Sequence, residues 1–159
     1  MVERGAILVK RTMAVVHYDS AEAQQLIEEL QQEYIIRYGG RDRTPVDPGQ
    51  FAIPDGAFLV IRVDGLSVGC AGLRRHDERS VEVKRMFVRV EFRGQGLARW
   101  LLTCVEDQAR ALGYRKMLME TGLRQPEAMA LYESSGFEPV AGFGFYAGAP
   151  ENRCYAKDL

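Results

Sequence analysis

The strongest constraint on this chain is residues 81–102, VEVKRMFVRVEFRGQGLARWLL, where a strand pattern changes to a helix pattern across a short loop. The first part is rich in β-branched and aromatic side chains, which favours a strand over about residues 81–88. From Leu97 the apolar residues recur three and four positions apart, which is typical of one face of a helix. The segment therefore predicts a strand, a loop containing Gly94 and Gly96, and a helix that follows the loop directly.

The glycine loop has the features of an anion-binding site. Glycines let the backbone come close to a ligand, and the free N–H groups of a new helix carry partial positive charge. Together they suit a phosphate or pyrophosphate. A Walker loop is excluded because Leu97 and Ala98 follow Gly96, and a dinucleotide fingerprint because Arg99 replaces the third small residue. The alternative is a structural turn whose glycines serve tight geometry alone.

Composition indicates an ordinary globular protein. The 159 residues predict a single domain over 1–159. A formal net charge of −1, with arginines spread along the chain, argues against nucleic-acid binding. Neither a membrane-spanning run of apolar residues nor a secretory signal is recognisable, so no membrane partner is expected.

Three cysteines bear on compartment and metal binding. Cys70, Cys104 and Cys154 are an odd number without metal-binding spacing. They are interpreted as buried free thiols, which predicts a cytoplasmic protein and no metal site.

The remaining segments give the order β-α-loop-β-β-β-α-β-α-β-β, an α/β domain with a mixed sheet covered by helices. Residues 41–54 are dense in Pro, Gly and charge and are interpreted as a long loop, either a lid or substrate wall or a mobile surface excursion. The other predicted elements are a strand over 12–18, a helix over 21–38, a hairpin of 57–63 with 67–74, a strand over 115–120, a helix over 126–134, and strands over 137–140 and 153–157.

Several motifs occur in an order that resembles one family. Arg93, Gly96 and Ala98 match Arg/Gln-x-x-Gly-x-Gly/Ala, which is similar to the acetyl-CoA-binding motif of the GNAT superfamily of N-acetyltransferases. Further matching segments are KRMFV at 84–88, ETG at 120–122, QPEA at 125–128, LYE at 131–133 and GF at 136–137. The resemblance implies a single-domain GNAT fold. Such a fold has a mixed, mostly antiparallel sheet of about seven strands and about four helices, splayed between strands 4 and 5.

The resemblance also implies how acetyl-CoA, as cosubstrate, would bind. Its pyrophosphate would lie on the N–H groups of residues 93–98, and its pantetheine arm would pair with the central strand like an added strand. A main-chain N–H near Val88 would hold the oxyanion. Where many members have an asparagine after the fifth strand, this chain has Gln125, which either substitutes for it or caps the next helix. The implied cofactor-binding residues are Met86, Phe87, Val88, Arg93, Gly94, Gln95, Gly96, Leu97, Ala98, Arg99 and Gln125.

Two proton transfers are required by the implied chemistry. An amine acceptor is mostly an ammonium at neutral pH and must lose a proton before it attacks. Glu82 is the expected base, because some members of the family have a glutamate eleven residues before the motif, and Glu120 is its competitor. Either glutamate could instead be a strand-end or salt-bridge residue. Tyr132 matches the tyrosine that protonates the CoA thiolate, and the alternative is that it only packs its ring.

The sequence thus predicts transfer of acetyl from acetyl-CoA to a primary amine of a small molecule or protein, by direct attack in a ternary complex. The alternative is a non-catalytic acyl-CoA-binding sensor or partner domain, which the presence of Tyr132 and a strand glutamate disfavours. A homodimer is implied by the family alone. The acceptor pocket is expected between the first helix, the loop at 41–54 and the loop at 143–146, with an aromatic wall of Tyr38, Phe51, Phe143, Phe145 and Tyr146.

Overall fold

A computed structural model describes residues 8–159, which form one seven-stranded sheet and three α-helices. Residues 1–7, on which part of the signal-peptide prediction and of the 1–159 domain prediction rests, lie outside the described residues. The strands are β1 (Arg11–Val16), β2 (Ala57–Val63), β3 (Leu66–Arg75), β4 (Ser80–Val88), β5 (Lys116–Gly122), β6 (Glu138–Val140) and β7 (Asn152–Asp158), and the helices are α1 (Ala21–Tyr38), α2 (Leu97–Ala111) and α3 (Pro126–Ser134).

The element order and nearly all the predicted bounds are confirmed. Helix α1 begins where expected because the Ser20 hydroxyl accepts a hydrogen bond from the Ala23 N–H at 3.2 Å. It ends at Gly39, which adopts the left-handed conformation. The predicted helix count of about four is too high for the described residues. The proline-rich loop after α1 forms only a short 3-10 turn, Pro48–Phe51, and a second 3-10 turn follows β4.

The sheet has the order β1-β2-β3-β4-β5-β7-β6 and is mixed. All neighbouring pairs are antiparallel except β4 with β5, which are parallel. One core packs α1 against Phe58, Val60 and Phe87. The other core packs α2 and Tyr132 of α3 against the opposite face. The sheet is thus covered on both sides, as the α/β interpretation requires.

The parallel pair opens at one end, which confirms the predicted splay. Strands β4 and β5 pair only from Ser80 opposite Lys116 to Val83 opposite Met119. Beyond this point β4 continues to Val88 while β5 pairs only with β7. Between its paired positions β4 has one residue more than β3, and Arg85 in this bulge has a positive φ of 58°. The bulge bends β4, and main-chain groups along its far half face a gap.

Packing of α2 on the sheet should contribute strongly to stability. Leu101 lies on the inner face of α2 and has no solvent exposure. Leu101→Ala is expected to lower the free energy of unfolding by about 2–5 kcal/mol, because it removes buried apolar surface and leaves a cavity. Chemical denaturation measures the loss. Leu66→Ala, at an exposed leucine, is the control, and equal losses for the two variants would contradict the packing described.

Candidate active site

The glycine loop leaves a bare helix N-terminus. Gly94 and Gly96 have positive φ angles of 76° and 78°, and α2 begins at the next residue, Leu97. Gly96 is the N-cap and provides no side chain to bond the first-turn N–H groups. A Cβ added at either glycine would meet no atom within 4 Å, so the backbone conformation rather than crowding requires glycine here. The first turn of α2 therefore offers its N–H groups to an anion.

Two arginines predicted to contact the cofactor have protein partners for their side chains. The Arg93 Nε donates to the Val88 carbonyl at 2.8 Å, and its Nη1 lies 2.8 Å from a Glu33 carboxylate oxygen on α1. Arg99 donates to the hydroxyls of Ser134 and Ser135 at the end of α3, at 2.9 and 3.1 Å. Arg93 thereby fixes the loop to β4 and α1. Arg99 links α2 to α3, and in this arrangement the loop's backbone N–H groups are the available anion donors.

Tyr132 of α3 lies in the core that α2 forms with the sheet. Its ring packs against Phe137 and Tyr155, each at a centroid distance of 5.9 Å, and it is buried. Burial, and to a lesser extent Tyr155, raises the pKa of Tyr132 above its usual value. The phenol is therefore protonated throughout the neutral range. A protonated tyrosine held by two aromatic neighbours can donate to a thiolate.

A charged cluster, centred on Lys84 of β4, lies on the face of the sheet opposite to the α2-side core. Its ammonium nitrogen is 3.8 Å from Glu82 Oε1, 3.9 Å from Glu120 Oε1 and 3.9 Å from Asp42 Oδ2. All four side chains are largely buried. Because Glu82 and Lys84 are two residues apart on one strand, they face the same side of the sheet. Glu120 joins them from the neighbouring strand β5.

The two candidate bases have different surroundings. Glu82 is fixed by Arg74 on β3, whose Nε lies 3.0 Å from Glu82 Oε2. Glu120 accepts only long hydrogen bonds, both at Oε2: from the Asn152 amide at 3.4 Å and from the Cys154 thiol at 3.9 Å. Burial raises the pKa of Glu120; Lys84 opposes this rise and the negative charge of Glu82 adds to it. Glu120 is thus the less restrained of the two carboxylates.

A cavity of about 470 Å³ lies beside this cluster. It is lined by parts of α1, the following loop, the middle of β4, the end of β5, and the segment before β7. Glu120 and Lys84 form part of its wall, whereas Glu82 does not. Of the five expected wall aromatics, Tyr38 and Tyr146 line it. Phe51 instead lies in the core, stacked on Tyr18 at 4.8 Å.

The loop at 41–54 is attached to the site through Asp42. This buried carboxylate pairs with Arg85 of the β4 bulge and accepts a hydrogen bond from the Tyr146 hydroxyl at 3.0 Å. Burial alone would raise the pKa of Asp42, but the charges of Lys84 and Arg85, together with hydrogen bonds from Thr44, outweigh it and hold the pKa below its usual value. An ionised Asp42 therefore joins the loop, β4 and Tyr146, and the first residues of the loop form a fixed wall of the cavity.

Gln125 forms the boundary between the cavity and α3. Its side chain makes no capping bond to α3, so the capping alternative is not realised. Its amide instead donates to the Tyr38 hydroxyl at 3.1 Å. Arg37 and Arg124 bond each other's carbonyls nearby, at 2.8 and 3.0 Å. The end of α1 is thereby attached to the loop that precedes α3.

The left-handed conformation of Gly96 should be required for acetyl-CoA binding. In Gly96→Ala the side chain disfavours this conformation by about 1–2 kcal/mol, so the dissociation constant should rise by roughly 5- to 30-fold. Isothermal titration calorimetry measures it. Gly40→Ala is a matched control, since Gly40 is equally uncrowded but has no positive φ. Unchanged affinity in Gly96→Ala would show that the loop does not hold the cofactor.

Lys84, Asp42 and Asn152 are site residues that the sequence analysis did not identify as functional. The pair Lys84 and Arg85 interrupts an otherwise apolar strand, and charged residues inside a central strand require partners. Charged residues at 82 and 84 of a central strand could therefore have predicted that Lys84 and Glu82 belong to one cluster. Asp42 could not be found this way, because it joins the cluster from a loop about 40 residues earlier in the chain.

The fold and site define a class of protein: an α/β domain with a parallel strand pair opened beside an uncapped helix N-terminus. The model of the Acetyltransferase (GNAT) family matches residues 23–137. The chain belongs to this family.

Similar proteins agree with this assignment. An IAA acetyltransferase of Azospirillum brasilense is 41% identical over 136 residues, which cover 85% of this chain and 89% of that protein. The structure of a Klebsiella pneumoniae protein assigned as an acyl-CoA N-acyltransferase aligns with a TM-score of 0.78 and 29% identity, covering 94% and 97% of the two chains. A GNAT family acetyltransferase of Elizabethkingia anophelis, solved with acetyl-CoA bound, shares the fold at a TM-score of 0.67 and 19% identity, covering 94% and 98%.

Among the described helices, none is long and apolar enough to cross a membrane.

Proposed function

We propose that this protein transfers acetyl from acetyl-CoA to the primary amine of a small molecule, by direct attack in a ternary complex. The observation that carries the proposal is the opening between β4 and β5, with an uncapped helix N-terminus beside it and a glutamate-lined cavity at its end. These features supply a place for the pyrophosphate, the thioester arm and the amine. Family membership and the acetyl-CoA seen in a structural neighbour support the choice of cofactor.

The cofactor is expected to follow the opening. Its diphosphate binds the N–H groups of the loop and the first turn of α2, and the pantetheine arm pairs with the free side of β4 near Met86. The bulge at Arg85 redirects the strand just before this point. A main-chain N–H near Val88 then stabilises the negative charge that develops on the carbonyl oxygen.

The acceptor is expected to enter through the cavity. A volume of about 470 Å³ lies within the range of small-molecule sites, and tyrosines of α1 supply apolar surface beside the charged cluster. The ammonium of the acceptor gives a proton to Glu120, and the neutral nitrogen attacks the thioester carbonyl. As the carbon–sulfur bond breaks, Tyr132 donates its proton to the departing thiolate. The nitrogen loses its second proton at the same stage, which restores the tyrosine through solvent, and Glu120 later releases the first proton to solvent. The products are an amide and free CoA.

Glu120 is assigned as the base because it lines the cavity and its carboxylate, unlike that of Glu82, is not paired with Arg74. Glu82 remains the alternative base. Its carboxylate is paired with Arg74 and Lys84, and it does not line the cavity. A water molecule could connect Glu82 to an amine, so substitution of each glutamate is needed to separate them.

The decisive experiment measures free thiol released from acetyl-CoA in the presence of a panel of primary amines. The panel includes amino acids, polyamines, aromatic amines and a lysine-containing peptide. Amine-dependent thiol release with formation of the acetylated amine is expected for at least one small amine. Binding of acetyl-CoA without release for any amine would favour the sensor alternative. Release with the peptide alone would overturn the small-molecule assignment.

A further inference from the structure

Lys84 is a buried cation whose position a purely structural role does not explain. It is 6% exposed, and its single close hydrogen bond is to the Thr44 hydroxyl at 3.3 Å. The three surrounding carboxylates all lie at 3.8–3.9 Å, beyond hydrogen-bond distance. Burying a charge is costly unless it is both paired and hydrogen-bonded, and a buried ion cluster is weak evidence for stability.

Other groups already partner the outer oxygens of these carboxylates. Glu82 Oε2 is bonded by Arg74, Asp42 by Arg85 and Tyr146, and Glu120 Oε2 by Asn152. The inner oxygens, Glu82 Oε1 and Glu120 Oε1, are buried and have no hydrogen-bond partner. Lys84 is the charge that faces both of them. The ammonium of Lys84 is therefore the charge that balances the two buried inner oxygens.

We propose that Lys84 is a positioning residue for acetyl transfer: its ammonium balances the surrounding carboxylates and keeps Glu120 able to accept a proton from the acceptor amine. The inference rests on the proposed function, because it takes Glu120 as the base. Lys84 itself exchanges no proton in this scheme. The proton passes from the acceptor nitrogen to Glu120 while Lys84 remains an ammonium.

The charges around Glu120 determine the sign of each effect. Lys84 and Glu82 face it from β4, Asp42 from the loop after α1, and Asn152 and Cys154 from β7. Burial raises the pKa of Glu120, Lys84 lowers it, and Glu82 and Asp42 raise it. Without Lys84, two negative neighbours would raise the pKa of a buried carboxyl, and the long hydrogen bond from Asn152 would be left to oppose them. Glu120 would then hold its proton to higher pH.

The test compares kcat/KM for the acceptor against pH in the wild type and in two variants whose expected shifts have opposite signs. In Lys84→Met the acid limb should move upward by about one pH unit or more, the size expected when an opposite charge near 4 Å is lost. In Glu82→Gln the limb should move downward, because a negative neighbour is removed. The acceptor's own ionisation is common to all profiles and does not alter the differences.

Lys116→Met is the matched control, since Lys116 is an exposed lysine of β5 at the opposite end of the β4–β5 pairing. Its profile should equal that of the wild type. Thermal melts and acetyl-CoA titration establish that each variant is folded. If Lys84→Met does not fold, the downward shift in Glu82→Gln still decides whether this cluster sets the ionisation of the base.

The experiment distinguishes failure of the Lys84 inference from failure of the proposed transferase function. An unshifted acid limb in folded Lys84→Met, or an unshifted limb in Glu82→Gln, overturns the role of Lys84 while wild-type activity still supports the transferase. Absence of amine-dependent activity in the wild type overturns the proposed function itself. Loss of activity in Lys84→Met at every pH, with acetyl-CoA affinity retained, would also overturn the inference, because a shift in ionisation is reversed at high pH.

Discussion

Glu120→Gln is expected to reduce kcat/KM for the amine by about 10²–10⁴-fold, the usual contribution of a general base. Glutamine keeps nearly the same shape and can still accept a hydrogen bond from Asn152, so the cavity should persist. It cannot take a proton from an ammonium. Because its raised pKa makes Glu120 a stronger proton acceptor than an ordinary glutamate, its loss should matter most near neutral pH.

The matched control for Glu120→Gln is Glu151→Gln. Glu151 lines the same cavity, but it is about half exposed and paired with Arg124 at 3.1 Å. This variant should retain activity within about twofold, the range of a surface ion pair. Acetyl-CoA affinity should be unchanged in both variants. Should Glu120→Gln remain active while Glu82→Gln is inactive, the base is Glu82 and the assignment made from the cavity wall is wrong.

The elements of the fold could be predicted from the sequence because their signals are local. Ser20 and Gly39 bound α1, and Pro126 marks the start of α3. The change from strand to helix periodicity at the glycine loop predicted the positions of β4 and α2. The opening between β4 and β5 was implied by family resemblance rather than by residues, since a register that stops at Val83 leaves no mark in the sequence.

The charged site was harder to predict because its contacts are long-range. Glu82 and Glu120 were both identified, but the sequence contains nothing that tells which one lines a cavity. That distinction depends on tertiary packing, which pairs Glu82 with Arg74 across the β3–β4 ladder and leaves Glu120 on the cavity wall. Phe51 is a second residue whose position depends on tertiary packing that the sequence does not reveal. Its position in a proline-rich loop indicated a pocket wall, yet the short 3-10 turn directs it into the core against Tyr18.

Tyr132→Phe is expected to lower the rate of acetyl transfer by about 10²-fold while leaving acetyl-CoA affinity unchanged. Phenylalanine preserves the ring that packs on Phe137 and Tyr155, so the fold should be retained. It removes the proton that the raised pKa keeps on the wild-type phenol. The thiolate must then leave without a donor. Single-turnover measurements report the chemical step directly and exclude an effect on product release.

Tyr114→Phe provides the comparison for loss of a buried hydroxyl. Tyr114 lies just before β5, at the end of that strand away from Glu120. Its hydroxyl donates to the Asp55 carbonyl at 2.5 Å. Removing that bond should cost about 1 kcal/mol of stability without changing the transfer rate. If Tyr132→Phe behaves like Tyr114→Phe, less stable but equally fast, Tyr132 only packs its ring. A selective loss of rate in Tyr132→Phe would instead place its hydroxyl beside the departing sulfur.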